Sequence, residues 1–381
     1  MNISDSFCHY PWTGLFIGAH GDVRNCCPSR SIIGNLNDNT LENIINNDLH
    51  KEIQNSILDG QWHKNCNLCK EMEESGQVSY RNTGRPIKDF FDVKSLDVPN
   101  PNFHIPKIID IRWSNTCNLA CNYCSEKFSS TWAAIKKIDI GASKKYYSDV
   151  IQYLSKNSNN IQALHLLGGE PLLIKENADL LANFDNKDVE VNIVTSGSVD
   201  LSKSPVFKEL RNFKNVNFSI SFENTHDRYE YVRHNASWNL LYQNLQYIKD
   251  NTNFRLCAVP IYNVYSAFDL VNFYNVIVEG NKFHSVVWNQ LIYPMELNLF
   301  NFPNSVKNLA IEQLDIILDK YKDSSIDIDL GCDFLKTTRN LLKTSPVVSE
   351  FQEFLSFTED LETNLHVKKH SFFELWPEIN F

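Results

Sequence analysis

Residues 112–124 read Arg112-Trp113-Ser114-Asn115-Thr116-Cys117-Asn118-Leu119-Ala120-Cys121-Asn122-Tyr123-Cys124. Three cysteines stand at Cys-x3-Cys-x2-Cys spacing, directly behind an apolar run at 108–113 that reads as a strand. A loop of this length can wrap three thiolates around one face of an iron–sulfur cubane. Thiolates are the usual ligands of such clusters, and four per cluster is the norm. Three therefore leave one iron open to a substrate or cofactor. A structural zinc would want four ligands, and the nearby His104 lies before the strand. In parallel barrels, moreover, chemistry gathers at the carboxyl ends of strands.

Outward from this loop the chain alternates. Apolar runs fall at 108–113, 161–167, 189–195, 216–222, 254–259 and 285–290, with longer segments between them. One of these, 237–249, places Leu240, Leu241, Leu245 and Ile248 at helical spacing. Strands alternating with helices predict βα units, an α/β fold and a parallel sheet. Six units are too few for a closed eight-fold barrel, so an open, partial (β/α)6 barrel over 107–300 is expected. A helical extension follows at 301–381, opened by a helix at 306–321. Its aromatics Phe372, Phe373, Trp376 and Phe381 are expected to pack back on the body. Upstream, 81–106 reads as a connector carrying Pro86, Pro99, Pro101 and Pro106. Residues 1–80 form a small cysteine-rich module with one amphipathic helix over 40–58. Thr40 caps it, and Leu41, Ile44, Ile45, Leu49, Ile53 and Ile57 form its apolar stripe.

The chain has 381 residues, 43% of them hydrophobic, which is ample for a core. A net charge of -10 argues against a broad electrostatic grip on nucleic acid. The opening MNISDSFCHYPW has no signal-peptide pattern and no apolar run is long enough to span a bilayer, so a soluble cytoplasmic protein without a membrane partner is expected. That setting disfavours disulfides among the ten cysteines and favours metals or clusters where the spacing is close.

Cys117, Cys121 and Cys124, with Tyr123 before the last, resemble the signature of the radical S-adenosylmethionine (SAM) family. The second strand ends in Gly168-Gly169-Glu170, which resembles the family's Gly-Gly-Glu motif. The resemblance implies a [4Fe–4S] cluster whose open iron is chelated by the amino and carboxylate groups of SAM. SAM is then cleaved to methionine and a 5′-deoxyadenosyl radical that abstracts hydrogen from a substrate. It also implies a partial six-stranded barrel. Gly168, Gly169 and Glu170 would take the methionyl amine. Tyr123, Ser196, Ser221 and Arg233 are the further cofactor-binding candidates, and Asn263 is a weaker one. Two departures stand out. Thr195-Ser196-Gly197 replaces the frequent Thr-Asn-Gly, and Glu223-Asn224 replaces the common Asp-Gly.

The N-terminal cysteines carry a second pattern. Cys8, then Gly21-x4-Cys26, then Cys66-x2-Cys69 supply four thiols. Four thiolates suit either zinc or a fully ligated cluster, and spacing does not separate them. The pattern resembles the twitch domain, the shortened form of the SPASM domain, here placed before the barrel as in twitch domain-containing radical SAM proteins. Phe7-Cys8, Pro11-Trp12, the Cys26-Cys27 doublet, Pro303 and the Phe373 to Pro377-Glu378 segment match that subgroup too. The resemblance implies a second [4Fe–4S] cluster on Cys8, Cys26, Cys66 and Cys69, with Cys26 selected over Cys27. That cluster would accept an electron from a substrate radical or relay electrons, with a flavodoxin- or ferredoxin-type reductant as partner. The implied activity is an oxidative modification of a peptide or protein, with dehydrogenation of a small alcohol or sugar as the alternative. A non-enzymatic iron–sulfur or zinc protein is a remoter reading. Cys257 and Cys332 are expected as small buried residues. No general base is legible; Glu223, His226 and Asp227 merely stand near a strand end.

Overall fold

The protein is described from a computed structural model covering residues 6–29, 31–75, 79–83, 106–140, 145–279, 283–322, 328–346, 351–364 and 370–379. Most of the expected connector, 84–105, and Phe381 lie outside the described residues. The strands, in chain order, are β1 (Gly14–Ile17), β2 (Asp22–Arg24), β3 (Gly34–Asn35), β4 (Ile108–Ile111), β5 (Ala120–Cys121), β6 (Ala163–Leu166) and β7 (Glu190–Thr195). They continue as β8 (Asn215–Ile220), β9 (Arg233–His234), β10 (Arg255–Ala258), β11 (Ile261–Tyr262), β12 (Phe283–Val286) and β13 (Asn289–Gln290). The chain divides into two compact units. The first holds Met1–Asn115, Gly141–Asn192 and Pro205–Asn215; the second holds Thr116–Ile140, Ile193–Ser204 and Val216–Phe381.

In the first unit the strands lie in the order β6-β4-β1-β2-β3. β1 and β4 run parallel, Gly14 opposite Ile108 and Ile17 opposite Ile111, and β4 runs parallel to β6. Every residue of β1 and β4 is buried, as expected of parallel strands covered on both faces. The β1–β2 turn passes through Gly21 at φ 79°, the left-handed region that glycine tolerates best. The single helix expected over 40–58 is two. Thr40 caps Leu41–Ile45, and Asn47 caps Asp48–Leu58 by accepting from the His50 amide at 2.8 Å. The Asn47 amide also donates to the Ile33 carbonyl. A short polar side chain that bonds nearby backbone ends one helix and starts the next.

In the second unit β8, β10 and β12 run parallel, so the fold is α/β with a largely parallel sheet. Val216, Phe218 and Ile220 of β8 are buried, while Ser219 and Ser221 fall on the alternate, half-buried face. Ser237 caps the helix Trp238–Asn251, which buries Leu241, Leu245 and Ile248. The run expected at 285–290 breaks into β12 and β13. Their partners β10 and β11 are separated by Val259-Pro260, and proline has no amide hydrogen to continue a ladder. Among the C-terminal aromatics, Phe372 and Trp376 stack at 5.0 Å and are wholly buried, and the Trp376 indole donates to the Tyr265 carbonyl. Phe373 is 39% exposed, contrary to expectation, because the short helix Phe372–Leu375 turns it away from its neighbour's side. Among the described residues no helix is long and apolar enough to cross a membrane.

Candidate functional site

The loop bearing Cys117, Cys121 and Cys124 is pinned by the helix Ser130–Lys136 and its cap. Ser130 and Thr131 hydroxyls donate to the Cys117 carbonyl, Ser129 donates to the Leu119 carbonyl at 2.6 Å, and the Trp132 indole donates to the Cys121 carbonyl at 2.9 Å. β5 pairs antiparallel with β9, setting Cys121 opposite Arg233. The three thiols share one neighbourhood. Burial pushes Cys124 up to about 12, and the charges of Cys121 and Cys117 add to that, while Arg233 opposes it. Buried sulfurs that repel one another as thiolates are stabilised by a cationic group of irons, which favours the deprotonated ligand. The donor set thus fits a cluster with three protein ligands.

Around this loop the second unit assembles several of the expected residues. The Tyr123 hydroxyl donates to Glu223 at 2.8 Å, and Arg233 donates to the other Glu223 oxygen at 2.8 Å. Ser196 and Ser198 hydroxyls bond at 2.7 Å, and Ser198 reaches Asn118 of the cysteine loop at 3.0 Å. Ser221 donates its amide to the Thr195 carbonyl. Asn263 is wholly buried and spends its side chain on its own turn, accepting from the Tyr265 and Ser266 amides. His226 and Asp227 are exposed at the start of a helix. Sequence reasoning named Glu223 only for its place after a strand; its pairing with Tyr123 and Arg233, 100 and 10 residues away, carries no local signal.

The Gly168-Gly169-Glu170 turn belongs to the first unit. Gly168 sits at φ 136°, and a Cβ there would lie 3.0 Å from the Ser114 carbonyl oxygen. The Gly169 amide donates to that same carbonyl. Glu170 is wholly buried, and its carboxylate accepts from the Leu172 amide at 3.1 Å. Beside the turn, the Trp113 indole donates to Asn177 at 2.9 Å.

Also in the first unit, Cys8, Cys26, Cys66 and Cys69 line one pocket together with Tyr10, Trp62, Asn65, Tyr80 and Arg81. Burial pushes Cys8 up to about 12, and the charges of Cys66 and Cys69 raise it further. Cys26 is raised by burial and by the charge of Cys8. Cys27 answers to another neighbourhood, with its sulfur 3.7 Å from the Arg112 guanidinium and its thiol pushed to about 11 by burial and Asp110. Asn65 has both side-chain polar atoms buried without a protein partner. Arg81 is held by Glu73, donates to the Phe7 carbonyl at 2.6 Å and stacks on Trp62. Among the described residues no three His, Cys, Asp or Glu side chains close around a single metal ion. Four thiols lining one pocket suit a zinc ion or a fully ligated iron–sulfur cluster alike. Of the remaining cysteines, Cys257 is buried and accepts from Ser285 at 3.2 Å, whereas Cys332 is half-buried at a helix start and departs from the expected full burial.

Two family models match segments of this chain. A radical SAM superfamily model matches residues 111–263, and an iron–sulfur cluster-binding domain model, SPASM, matches residues 8–70. A search of curated proteins gives no match. Among solved structures, Streptococcus suis SuiB bound to S-adenosylmethionine is 14% identical over 57% of this chain and 48% of its own, with a TM-score of 0.42. SuiB bound to its precursor peptide SuiA is 15% identical over 80% of this chain and 71% of its own, at 0.43. Native anSMEcpe with bound AdoMet and a Cp18Cys peptide is 15% identical over 57% and 60%, at 0.40. The chain thus spans about half the length of SuiB in its SAM complex. The two cysteine-bearing segments are thus each matched by a family model of their own, a radical SAM superfamily domain and a SPASM-like iron–sulfur cluster-binding domain.

Proposed function

We propose that this protein cleaves SAM reductively at Cys117, Cys121 and Cys124 and uses the resulting 5′-deoxyadenosyl radical to oxidise a peptide or protein. The observation that carries the reading is the convergence of three thiols, one buried and two half-buried, on one pinned loop within the matched family segment. A cluster held there would supply the open iron that SAM chelates and the electron that cleaves SAM. The chain's own residues would do the rest. Gly168 and Gly169 would let backbone approach the methionyl end, and Glu170 would accept from its amine. Tyr123, Ser196, Ser221 and Arg233 would hold the remainder of SAM.

Cys8, Cys26, Cys66 and Cys69 would hold a second [4Fe–4S] cluster. Its four protein ligands leave no open iron, so its part is to take or pass an electron rather than to bind SAM. A peptide or protein substrate follows the precedent of SPASM and twitch relatives. A flavodoxin- or ferredoxin-type protein would supply the reducing electron.

The test is direct. Anaerobically reconstituted protein should carry about eight irons, and with dithionite and SAM it should release 5′-deoxyadenosine. Brown protein that never cleaves SAM would refute the reading.

A further inference from the structure

Arg233 is registered against the cluster loop twice. Its backbone pairs with Cys121 across β5 and β9, and the Asn122 amide donates to the Val232 carbonyl at 2.9 Å. Its side chain then turns back on the same loop. One terminal nitrogen lies 3.7 Å from the Cys121 sulfur, the other 2.8 Å from Glu223, and the guanidinium lies 5.5 Å from the centre of the Tyr123 ring. The Tyr123 hydroxyl holds the second Glu223 oxygen. Side-chain exposure is 4% for Arg233 and 1% for Glu223.

A buried pair of this kind is weak evidence for stability, since apolar residues of similar volume often do as well. Its position argues for another role. Hydrogen bonds to cluster sulfurs and the net charge nearby are principal determinants of a cluster's reduction potential. Arg233 aims a fixed, permanently charged donor at a cluster ligand, and Glu223 both fixes its direction and cancels its charge.

We propose that Arg233 and Glu223 form a positioning pair that sets the reduction potential of the SAM-binding cluster, Arg233 by donating to the Cys121 thiolate and Glu223 by balancing its charge. The proposal rests on the triplet holding a cluster. Reduction adds negative charge to that cluster, so the two members act in opposite directions. Arg233→Met removes a cation and a donor, which disfavours the reduced state and lowers the potential. Glu223→Gln keeps the shape and leaves Arg233 unbalanced, which favours the reduced state and raises it.

The test is an electron paramagnetic resonance-monitored redox titration of the reconstituted full chain. The relevant signal is the one that SAM addition perturbs, because only a cluster with an open iron binds SAM. Each single variant should shift the oxidised-to-reduced ratio at least tenfold, about 59 mV for one electron, downward for Arg233→Met and upward for Glu223→Gln. The double variant should fall between them. Shifts of the same sign, or two shifts below that size, would overturn the proposal. Should Arg233→Met fail to load iron, the isosteric Glu223→Gln decides alone, by rising or not. Wild-type protein that loads no iron on the triplet would instead defeat the underlying functional reading.

Discussion

Cys26 and Cys27 are consecutive residues whose sulfurs face different chemistry: Cys26 lines the four-thiol pocket, and Cys27 lies 3.7 Å from Arg112. The doublet therefore makes a clean comparison. Cys27→Ser should leave the iron content unchanged. Cys26→Ser should remove about four irons per chain, one cubane's worth, leaving the SAM-responsive signal in place. Equal losses from both variants would show that either sulfur can serve.

The two cysteine sites should separate by activity. Cys121→Ala should bring 5′-deoxyadenosine formation below detection, because it would strip a ligand from the proposed cluster with the open iron. Cys66→Ala should spare SAM cleavage without substrate if the second cluster serves the substrate. Loss of both activities on Cys66→Ala, in protein whose circular dichroism is native, would assign that cluster to electron relay.

Gly168→Ala should be expensive for its size. The backbone there sits at φ 136°, and the new methyl would meet the Ser114 carbonyl at 3.0 Å. Such strain costs of order 1–3 kcal/mol. Thermal unfolding should shift down accordingly, and SAM cleavage should fall by more than the loss of folded protein explains. Wild-type stability and activity would mean that the turn relaxes freely.

Trp376→Ala tests the C-terminal packing. The side chain is wholly buried, stacked on Phe372 and bonded to the Tyr265 carbonyl. Removing it should cost roughly 3–5 kcal/mol, read as a lower midpoint in denaturant with an unchanged slope. Phe373→Ala, at a 39% exposed position, should cost far less.

What was legible in the sequence was periodic or closely spaced. The apolar runs at 108–113, 161–167 and 189–195 became β4, β6 and β7 because buried strands need continuous or alternating apolar residues. The cysteine spacings marked both thiol groups because most of their members stand within a few residues of one another. The break at Asn46-Asn47 was missed, since the apolar spacing continues across it and only the side-chain caps end the helix. The Tyr123–Glu223–Arg233 arrangement was beyond reach for a different reason. It forms only when β9 docks on the cysteine loop, and no periodicity encodes that pairing. Phe372 and Phe373 were indistinguishable by composition, and one helical step between them decides which is buried.

The parallel pairing of β1 with β4 has a practical consequence for anyone dividing this protein. The N-terminal segment is not a detachable accessory, because its first strand is a rung of the same ladder that leads into the cysteine loop. A version beginning after residue 80 would strip four residues' worth of hydrogen-bonding partners from β4 and bare Ile108–Ile111 as an apolar edge. Open edges of that kind recruit other chains. Aggregation, rather than a shorter soluble protein, is the expected product of such a cut.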